Sequence, residues 1–463
     1  MSRTIQDVFA PDGLLATSIP GYRLRPQQLE MAERIAAAIA DNSVLVAEAG
    51  TGTGKTYAYL VPALLSGGKV IVSTGTKNLQ DQLFSKDIPT VRKVLGAPVQ
   101  VALLKGRANY LCHYHLERAL DDGRFVARED AAHAARIARF AKSTKTGDKA
   151  DCGDVPENST VWGMVTSTRE NCLGQDCPYN KECFVLAARR EALAADLVVV
   201  NHHLFFADVM LRDEGTAELL PACNTVIFDE AHQLPETASL FFGDNVSTAQ
   251  VIDLARDVRT EGITSAKDCL DLPKLCGVVE KAAKDLRLTL PVEPARFSLA
   301  QLEERGGFDN SLVGLIRELD VLTALLETQA QRSEGLENCW RRAGELVAQL
   351  RRWQKGADAN YVRWGETYTL SLQLNATPLV IASIMKKQMS GHPRAWIFTS
   401  ATLAVQRDFG HYCGEMGLEG AESAFWDSPF DYETQALLYA PTGLPDPNNY
   451  AYTEAVVKAA FPV

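Results

Sequence analysis

The stretch that decides the fold is VLVAEAGTGTGKT at residues 44–56. Its first four residues form a continuous apolar run rich in β-branched side chains, which is typical of a strand buried on both faces of a parallel sheet. Glycines follow at alternate positions, and residues 55–65 have a helical pattern. A strand, a glycine-rich loop and a helix in this order predict a phosphate-binding loop.

Each residue type in this loop has a chemical task. Gly50, Gly52 and Gly54 permit the backbone angles that turn successive N–H groups toward phosphate oxygens. Lys55 supplies positive charge to the β- and γ-phosphates, and the Thr56 hydroxyl is placed to ligate Mg²⁺. The strict pattern has glycine at position 49. This chain has alanine there, which is also a small residue. The predicted ATP-binding loop residues are Ala49, Gly50, Thr51, Gly52, Thr53, Gly54, Lys55 and Thr56.

Similar apolar runs after this loop indicate the rest of a sheet. They lie at residues 70–73, 99–104, 197–200, 225–228 and 395–398, and a helical pattern follows the first of them at 77–86. Alternating strands and helices predict the α/β fold class with a parallel sheet.

Two segments interrupt this α/β core. Residues 105–183 contain clustered cysteines and few strand signals. Residues 241–362 are rich in Leu, Ala, Glu and Arg at helical spacing, which predicts a separate helical subdomain whose charged faces are solvated. After residue 427, the prolines at 429, 441, 445 and 447 indicate a linker.

A pair of carboxylates follows the apolar run at 225–228. Asp229 is predicted to hold Mg²⁺, and Glu230 to orient and deprotonate the attacking water. His232 is a candidate relay between the nucleotide and a nucleic acid. The tetrapeptide alone is a weak signal, but together with a phosphate loop it becomes strong, because ligands gather at the carboxyl ends of strands in open α/β sheets.

Two further motifs are weaker. Ser400 and Thr402 follow the run at 395–398, where their hydroxyls can connect the acidic residues to a bound strand; a helix cap or a turn is the simpler interpretation. Gln28 lies upstream of the phosphate loop, where its amide can read the adenine edge. Taken alone, Gln28 would be an exposed helix residue.

Composition sets the broad class. The chain has 463 residues, 46% of them hydrophobic and 23% charged, which predicts a globular protein of several domains. The net charge of −11 argues weakly against nucleic acid, and the motifs outweigh it. Asp7 and Asp12 interrupt any signal-peptide core, and no apolar run reaches 18 residues, so we expect a cytoplasmic protein with no membrane contact.

Ten cysteines in a reducing compartment are not expected to form disulfides. Four thiols in the first insertion can hold either an iron–sulfur cluster or zinc. Their spacing lacks the tight paired knuckles of zinc sites and therefore favours iron–sulfur. Because few apolar residues surround these cysteines in the sequence, they are not interpreted as part of a hydrophobic core. Cys152, beside Asp151 and Gly153, is predicted to lie in an exposed loop and is left out. The predicted ligands are Cys112, Cys172, Cys177 and Cys183, whereas Cys223, Cys269, Cys276, Cys339 and Cys413 are expected to be small buried hydrophobes.

These motifs together resemble a known family. GTGTGKT, DEAH and TSATL are similar to the ATPase motifs of superfamily 2 helicases. The insertion that begins KGRANYLC narrows the resemblance to the iron–sulfur helicases related to the xeroderma pigmentosum group D protein. IPGYRLRPQQLEMA, STGTKNLQDQL, ADLVVVNHHLFF, IFDEAHQLPE and SPFDY resemble the bacterial DinG/YoaA branch, nearest its YoaA members. The resemblance covers essentially the whole chain.

The resemblance implies a RecA-like P-loop motor that moves 5′ to 3′ on single-stranded DNA and carries a [4Fe–4S] cluster on the four cysteines. It assigns Lys55, Thr56, Asp229 and Glu230 to ATP hydrolysis, Gln28 to adenine, and Ser400 and Thr402 to coupling. Thr74, Gln80 and His202 fall in segments that line the DNA path in the family. Forked duplex DNA, repair at replication forks, a nucleoid location, a monomeric state and contact with a DNA polymerase III accessory subunit are further implications.

The family pattern also predicts the domain order. Residues 1–104, 184–240 and 363–427 are assigned to the first motor domain, 105–183 to the iron–sulfur domain and 241–362 to a helical arch. Residues 428–463 are assigned to the start of a second motor domain, and we expect the chain as given to lack full activity because the rest of that domain is missing. The alternative is a non-translocating ATP-dependent DNA-binding or scaffold protein.

Overall fold

The computed structural model describes residues 3–123, 125, 128–169, 171–213, 219–356, 361–378, 381–391, 393–447 and 449–462. The strands are β1 (Val44–Ala49), β2 (Val70–Thr74), β3 (Val101–Leu103), β4 (Leu197–Asn201), β5 (Thr225–Asp229), β6 (Asp244–Ser247), β7 (Ala295–Ser298), β8 (Tyr361–Thr367), β9 (Leu372–Pro378), β10 (Ala395–Ser400) and β11 (Glu422–Trp426).

The helices alternate with these strands along much of the chain. They are α1 (Ile5–Phe9), α2 (Leu14–Ser18), α3 (Pro26–Asp41), α4 (Lys55–Leu65), α5 (Lys77–Gln82), α6 (Ile88–Leu95), α7 (His113–Asp122), α8 (Arg128–Phe140), α9 (Trp162–Val165), α10 (Phe184–Ala194), α11 (His202–Asp213), α12 (Leu234–Phe242), α13 (Thr248–Ser265), α14 (Asp271–Leu288), α15 (Leu299–Glu303), α16 (Phe308–Gln329), α17 (Glu334–Lys355), α18 (Ala382–Met389), α19 (Gly410–Met416), α20 (Tyr432–Gln435) and α21 (Tyr452–Ala460).

Seven strands form a sheet in the order β11-β1-β10-β5-β2-β4-β3, and their pairings are parallel. The six apolar runs of the sequence all lie in this sheet, which confirms the α/β fold class. The seventh strand, β11, was not predicted. It pairs with β1 at the sheet edge, where Val46 lies opposite Ser423.

The sheet is buried on both faces, as its apolar runs predict. Leu45 and Val72 belong to the hydrophobic cluster on one face, and Val46 and Ile71 to the cluster on the other. Because side chains alternate along a strand, a strand can serve both clusters only when successive residues are apolar. Among the described residues, no helix combines the length and the apolar character needed to cross a membrane.

The helical pattern at 77–86 is only partly realised. The α-helix α5 ends at Gln82, and residues Leu83–Asp87 continue as a π-helical turn before α6 begins at Ile88. Pro89 at the start of α6 has no N–H to donate, so a regular helical ladder cannot run unbroken through this segment. Residues 77–86 are thus helical as expected, but the hydrogen-bond pattern changes at Leu83.

The cysteine-containing insertion has a core of its own, contrary to the expectation that it has few apolar neighbours. Trp162, Ile137 and Phe184 are buried there, and so is Cys152. The prediction of an exposed loop at Cys152 is therefore wrong: the adjacent acidic residues point outward while the thiol packs with apolar side chains.

The second insertion is more than a helical bundle. Helices α13, α14, α16 and α17 share one hydrophobic core with a four-stranded antiparallel sheet in the order β6-β9-β8-β7. Since β8 pairs with β9 along its whole length, this unit continues to Pro378, beyond the predicted limit at 362.

Candidate functional site

The phosphate loop joins the carboxyl end of β1 to the start of α4. Gly52 and Gly54 have φ angles of 86° and 88°, which side chains with a Cβ rarely adopt, and this explains the glycines. Thr53 donates from its Oγ1 to the Gly50 carbonyl at 2.6 Å, which closes the loop on itself. The Lys55 Nζ donates to the Ala49 carbonyl at 3.1 Å, so its charge lies across the mouth of the loop.

The acidic residues lie at the carboxyl end of β5, two strands from β1 in the sheet. Glu230 adopts a left-handed conformation (φ 56°), which turns its side chain away from the strand direction. Its carboxylate Oε2 accepts from Ser400 Oγ at 3.4 Å, and the Ser400 hydroxyl is 2.8 Å from His232 Nδ1. Strand β10, which ends at Ser400, lies between β1 and β5 and so joins the two motifs.

Asp229 is buried and is held by a residue that sequence analysis missed. The Tyr59 hydroxyl, on α4, donates to Asp229 Oδ2 at 3.1 Å, and the Glu230 N–H donates to Asp229 Oδ1 at 3.1 Å. Burial, together with the nearby Glu230 charge, raises the pKa of Asp229 to about 6. Lys55 and the Tyr59 hydroxyl act in the opposite direction.

Glu48 is a second residue that sequence analysis missed. It is the charged residue in the otherwise apolar strand β1, and it is buried. Its Oε2 accepts from the backbone N–H groups of Leu403 and Ala404, at 2.6 Å from the latter. The sequence could have indicated this role, because a carboxylate in a buried strand requires hydrogen-bond donors. Glu48 thereby fixes the loop that follows Ser400 and Thr402, in which the Thr402 N–H donates to Ser400 Oγ at 3.3 Å.

Gln28 lies beside the phosphate loop and is buried, unlike the exposed helix residue that its local sequence suggests. Its Nε2 donates to the Gly54 carbonyl at 2.9 Å. No hydrogen-bond partner of its Oε1 is found among the described residues. The amide is thus fixed at the phosphate loop, with one polar atom available for a ligand.

Residues 428–432 lie on the outside of the phosphate loop. Ser428 Oγ donates to the Thr51 carbonyl at 2.7 Å, and the Tyr432 hydroxyl is 2.9 Å from Thr51 Oγ1. The Phe430 ring lies so close to Gly52 that an added Cβ would be 2.2 Å from Phe430 Cε2. We call Ser428–Tyr432 the covering segment.

The three residues assigned to a DNA path are buried: Thr74, Gln80 and His202. His202 Nδ1 is 2.7 Å from Ser73 Oγ, and burial lowers the pKa of His202 to about 3, so the ring is neutral. Gln80 Nε2 donates to the Leu104 carbonyl at 3.4 Å. Thr74 ends β2, His202 follows β4 and Gln80 lies on α5. Because all three are buried, their assignment to a DNA path stays a prediction.

The four predicted cysteine ligands line one cavity of about 370 Å³. Cys172 Sγ accepts from Arg107 Nη1 at 3.2 Å and from the Gly174 N–H at 3.5 Å. Arg189 lines the same cavity, and burial lowers its pKa to about 10. Burial raises the pKa of Cys112 to about 12, with the neighbouring Cys177 and Cys172 acting in the same direction. All four cysteines are free of disulfide bonds.

Within the described ranges, no group of three Cys, His, Asp or Glu side chains is arranged to hold a metal ion. Four thiols that line one cavity, with the Arg107 and Gly174 N–H groups directed at the Cys172 sulfur, are a donor set that fits an iron–sulfur cluster or zinc.

The chain is similar in sequence to known helicases. A family model described as DEAD/DEAH box helicase matches residues 25–110, which contain Gln28, the phosphate loop and β2. The ATP-dependent DNA helicase YoaA of Escherichia coli (strain K12) is 43% identical over 442 residues, 96% of this chain and 70% of that protein. The YoaA of Haemophilus influenzae is 40% identical over 460 residues, 99% of this chain and 72% of that protein. A solved structure of a truncated XPD is 15% identical with a TM-score of 0.42, covering 86% of this chain and 98% of that one.

Proposed function

Because the chain belongs to the family of the ATP-dependent DNA helicases YoaA, we propose that it binds and hydrolyses ATP to move on DNA. The observation that carries this proposal is the hydrogen-bonded connection between the phosphate loop and the acidic residues. Tyr59, on the helix that begins at Lys55, bonds Asp229, and Ser400 joins Glu230 to His232. The phosphate loop and the acidic residues, the two parts of the proposed ATP site, thus lie together at the carboxyl ends of neighbouring parallel strands.

In this proposal Lys55 and the N–H groups of the phosphate loop bind the β- and γ-phosphates. Glu230 takes a proton from water as the water oxygen bonds to the γ-phosphorus, and the bond from that phosphorus to the β–γ bridging oxygen breaks. ADP and phosphate leave, and the proton on Glu230 returns to solvent. Gln28 meets the adenine edge through the amide that already contacts Gly54.

Magnesium would be held by Thr56 and Asp229, where it neutralises phosphate charge when bound. The residues fit this ion: Asp229 is a carboxylate at the end of β5, and Thr56 is a hydroxyl in the first turn of α4, the helix whose Tyr59 contacts Asp229. Other residues of the site are held by hydrogen bonds within the chain, such as Gln28 to the Gly54 carbonyl and Ser400 to Glu230.

Ser400 and His232 are proposed to couple hydrolysis to DNA. His232 and Ser400 hydrogen-bond at 2.8 Å, and Ser400 also bonds Glu230. A movement of the β10 end caused by a bound strand would therefore shift the residue that activates water. We propose single-stranded and forked DNA as ligands, 5′-to-3′ movement and a role in replication-fork repair, all supported by family membership.

The four cysteines are proposed to hold a [4Fe–4S] cluster, not zinc. Structural zinc sites more often have their thiolates in tight paired knuckles, which the spacing of these cysteines lacks. The four thiols line one cavity, and a donor set of four thiolates suits an iron–sulfur cluster. When bound, the cluster would tie together segments of the insertion that are distant in sequence.

The test of the proposed function is ATP hydrolysis by the chain with and without single-stranded DNA. We expect DNA to stimulate hydrolysis, Lys55→Ala to abolish it, and Lys86→Ala, a change at an exposed lysine, to leave it intact. Partial duplexes with either a 5′ or a 3′ single-stranded tail then test direction. DNA-independent hydrolysis, or hydrolysis that survives Lys55→Ala, would contradict the proposal.

A further inference from the structure

Tyr59 is a buried polar residue for which the ATPase motifs give no role. It lies on α4, one turn after Lys55 and Thr56, and its side chain is fully buried. A tyrosine at a core position needs a hydrogen-bond partner for its hydroxyl, whereas leucine or phenylalanine would fill the same space without one. The role of Tyr59 therefore depends on the hydrogen-bond partner of its hydroxyl.

The hydroxyl touches the carboxylate that is proposed to hold magnesium. It donates to Asp229 Oδ2 at 3.1 Å. Thr56, the other proposed magnesium ligand, lies three residues before Tyr59 on α4 and so on the same face of the helix.

This bond has a consequence for cation binding. Asp229 is fixed at both ends, because its Oδ1 accepts from the Glu230 N–H while its Oδ2 accepts from Tyr59. The carboxylate therefore cannot rotate freely about its side-chain bond.

We infer that Tyr59 is a positioning residue for magnesium binding, holding the Asp229 carboxylate in the orientation in which it meets a divalent cation at the phosphate loop. The inference rests on the proposed function, in which nucleotide binds here with magnesium. It adds to that function a residue that controls how much magnesium the site requires. Tyr59 contacts neither nucleotide nor water in this account.

The experiment is titration of a fluorescent ATP analogue onto the folded chain, first in EDTA and then across a range of magnesium concentrations. Tyr59→Phe should raise the half-saturating magnesium concentration roughly tenfold, the scale of one hydrogen bond to a charged group. Affinity in EDTA should stay within about twofold, because the phosphate loop is untouched. Tyr57→Phe is the matched control: it lies on the same helix but beside Thr90 and Asp87.

A second variant separates positioning from packing. If Tyr59 acts through Asp229, adding Tyr59→Phe to Asp229→Asn should cause no further change in the magnesium requirement. An unchanged magnesium requirement in Tyr59→Phe would overturn the inference, and so would an equal loss of affinity in EDTA. A Tyr59→Phe chain that fails to fold would assign the hydroxyl to the core and overturn it too. If the wild-type chain shows no magnesium-dependent nucleotide binding, the proposed function itself fails.

Discussion

At the proposed nucleotide site, polar side chains from different elements hydrogen-bond to one another: Tyr59 to Asp229, and His232 to Ser400. The four cysteine side chains of the first insertion instead line a cavity of about 370 Å³, and 60 residues separate Cys112 from Cys172. The first site keeps its geometry through contacts made by the chain itself, so the proposed ligand would add chemistry. At the second site, the proposed cluster would join segments that are distant in sequence, and it would add folding free energy.

The largest effect should come from breaking the cysteine site. Cys172→Ala removes a proposed ligand, and we expect loss of bound iron together with destabilisation of the insertion by several kcal/mol, on the order reported for structural metal sites. Iron and sulfide counts after anaerobic purification, with thermal unfolding, measure this. Cys152→Ala, in the same insertion but in its apolar core, should keep its iron. Full iron retention in Cys172→Ala would defeat the ligand assignment.

Glu230→Gln tests the other site without disturbing its framework. The amide keeps the size of the side chain but cannot take a proton, so ATP turnover should fall by about 10²–10⁴-fold. Nucleotide affinity should change little, because Lys55 and the phosphate loop remain. Turnover near the wild-type rate would remove Glu230 from the role of general base.

The buried Asp229 carboxyl predicts a pH effect on folding in magnesium-free buffer. Its pKa is about 6 in the folded chain because of burial and Glu230, against an ordinary value of 3.8, so between these values the folded chain binds the extra proton. Stability contributed by this group therefore decreases as pH rises from about 4 to about 6, by about 2–3 kcal/mol in all. The difference in unfolding free energy between wild type and Asp229→Asn, measured across this range, should show that slope. A flat difference would mean that Asp229 titrates at its ordinary pKa.

Ser400→Ala should have the smallest effect. It removes a hydroxyl that contacts His232 and Glu230, which are both partly exposed, at a cost of about 1 kcal/mol or about fivefold. If Ser400 couples the sites, DNA stimulation of ATP hydrolysis should fall while hydrolysis without DNA is preserved. Equal loss with and without DNA would indicate that Ser400 only supports the active site.

Sequence patterns predicted the strands that are buried on both faces, because there the apolar run is continuous. They missed β11, whose sequence ESAFW mixes polar and apolar residues at the sheet edge, and the antiparallel strands of the second insertion, such as DNVS in β6. Short, half-exposed strands depend on partners that lie far away in sequence.

Among the site residues, the loop and the acidic pair could be named because glycine, lysine and carboxylates stand out at strand ends. Tyr59 could not, since an aromatic residue at helical spacing looks the same whether its hydroxyl has a partner or not. Cys152 was misjudged for the reverse reason: its polar neighbours say nothing about where its own side chain points.

The covering segment changes how alanine scanning of the phosphate loop should be interpreted. A methyl group at Gly52 would overlap the Phe430 ring, and one at Gly50 would lie 2.6 Å from the Ser428 nitrogen. Loss of function in Gly52→Ala would thus report displacement of the chain beyond β11 as well as loss of phosphate contacts. Combining the change with Phe430→Ala relieves the overlap but not the strain at φ 86°, and so apportions the defect between the two causes.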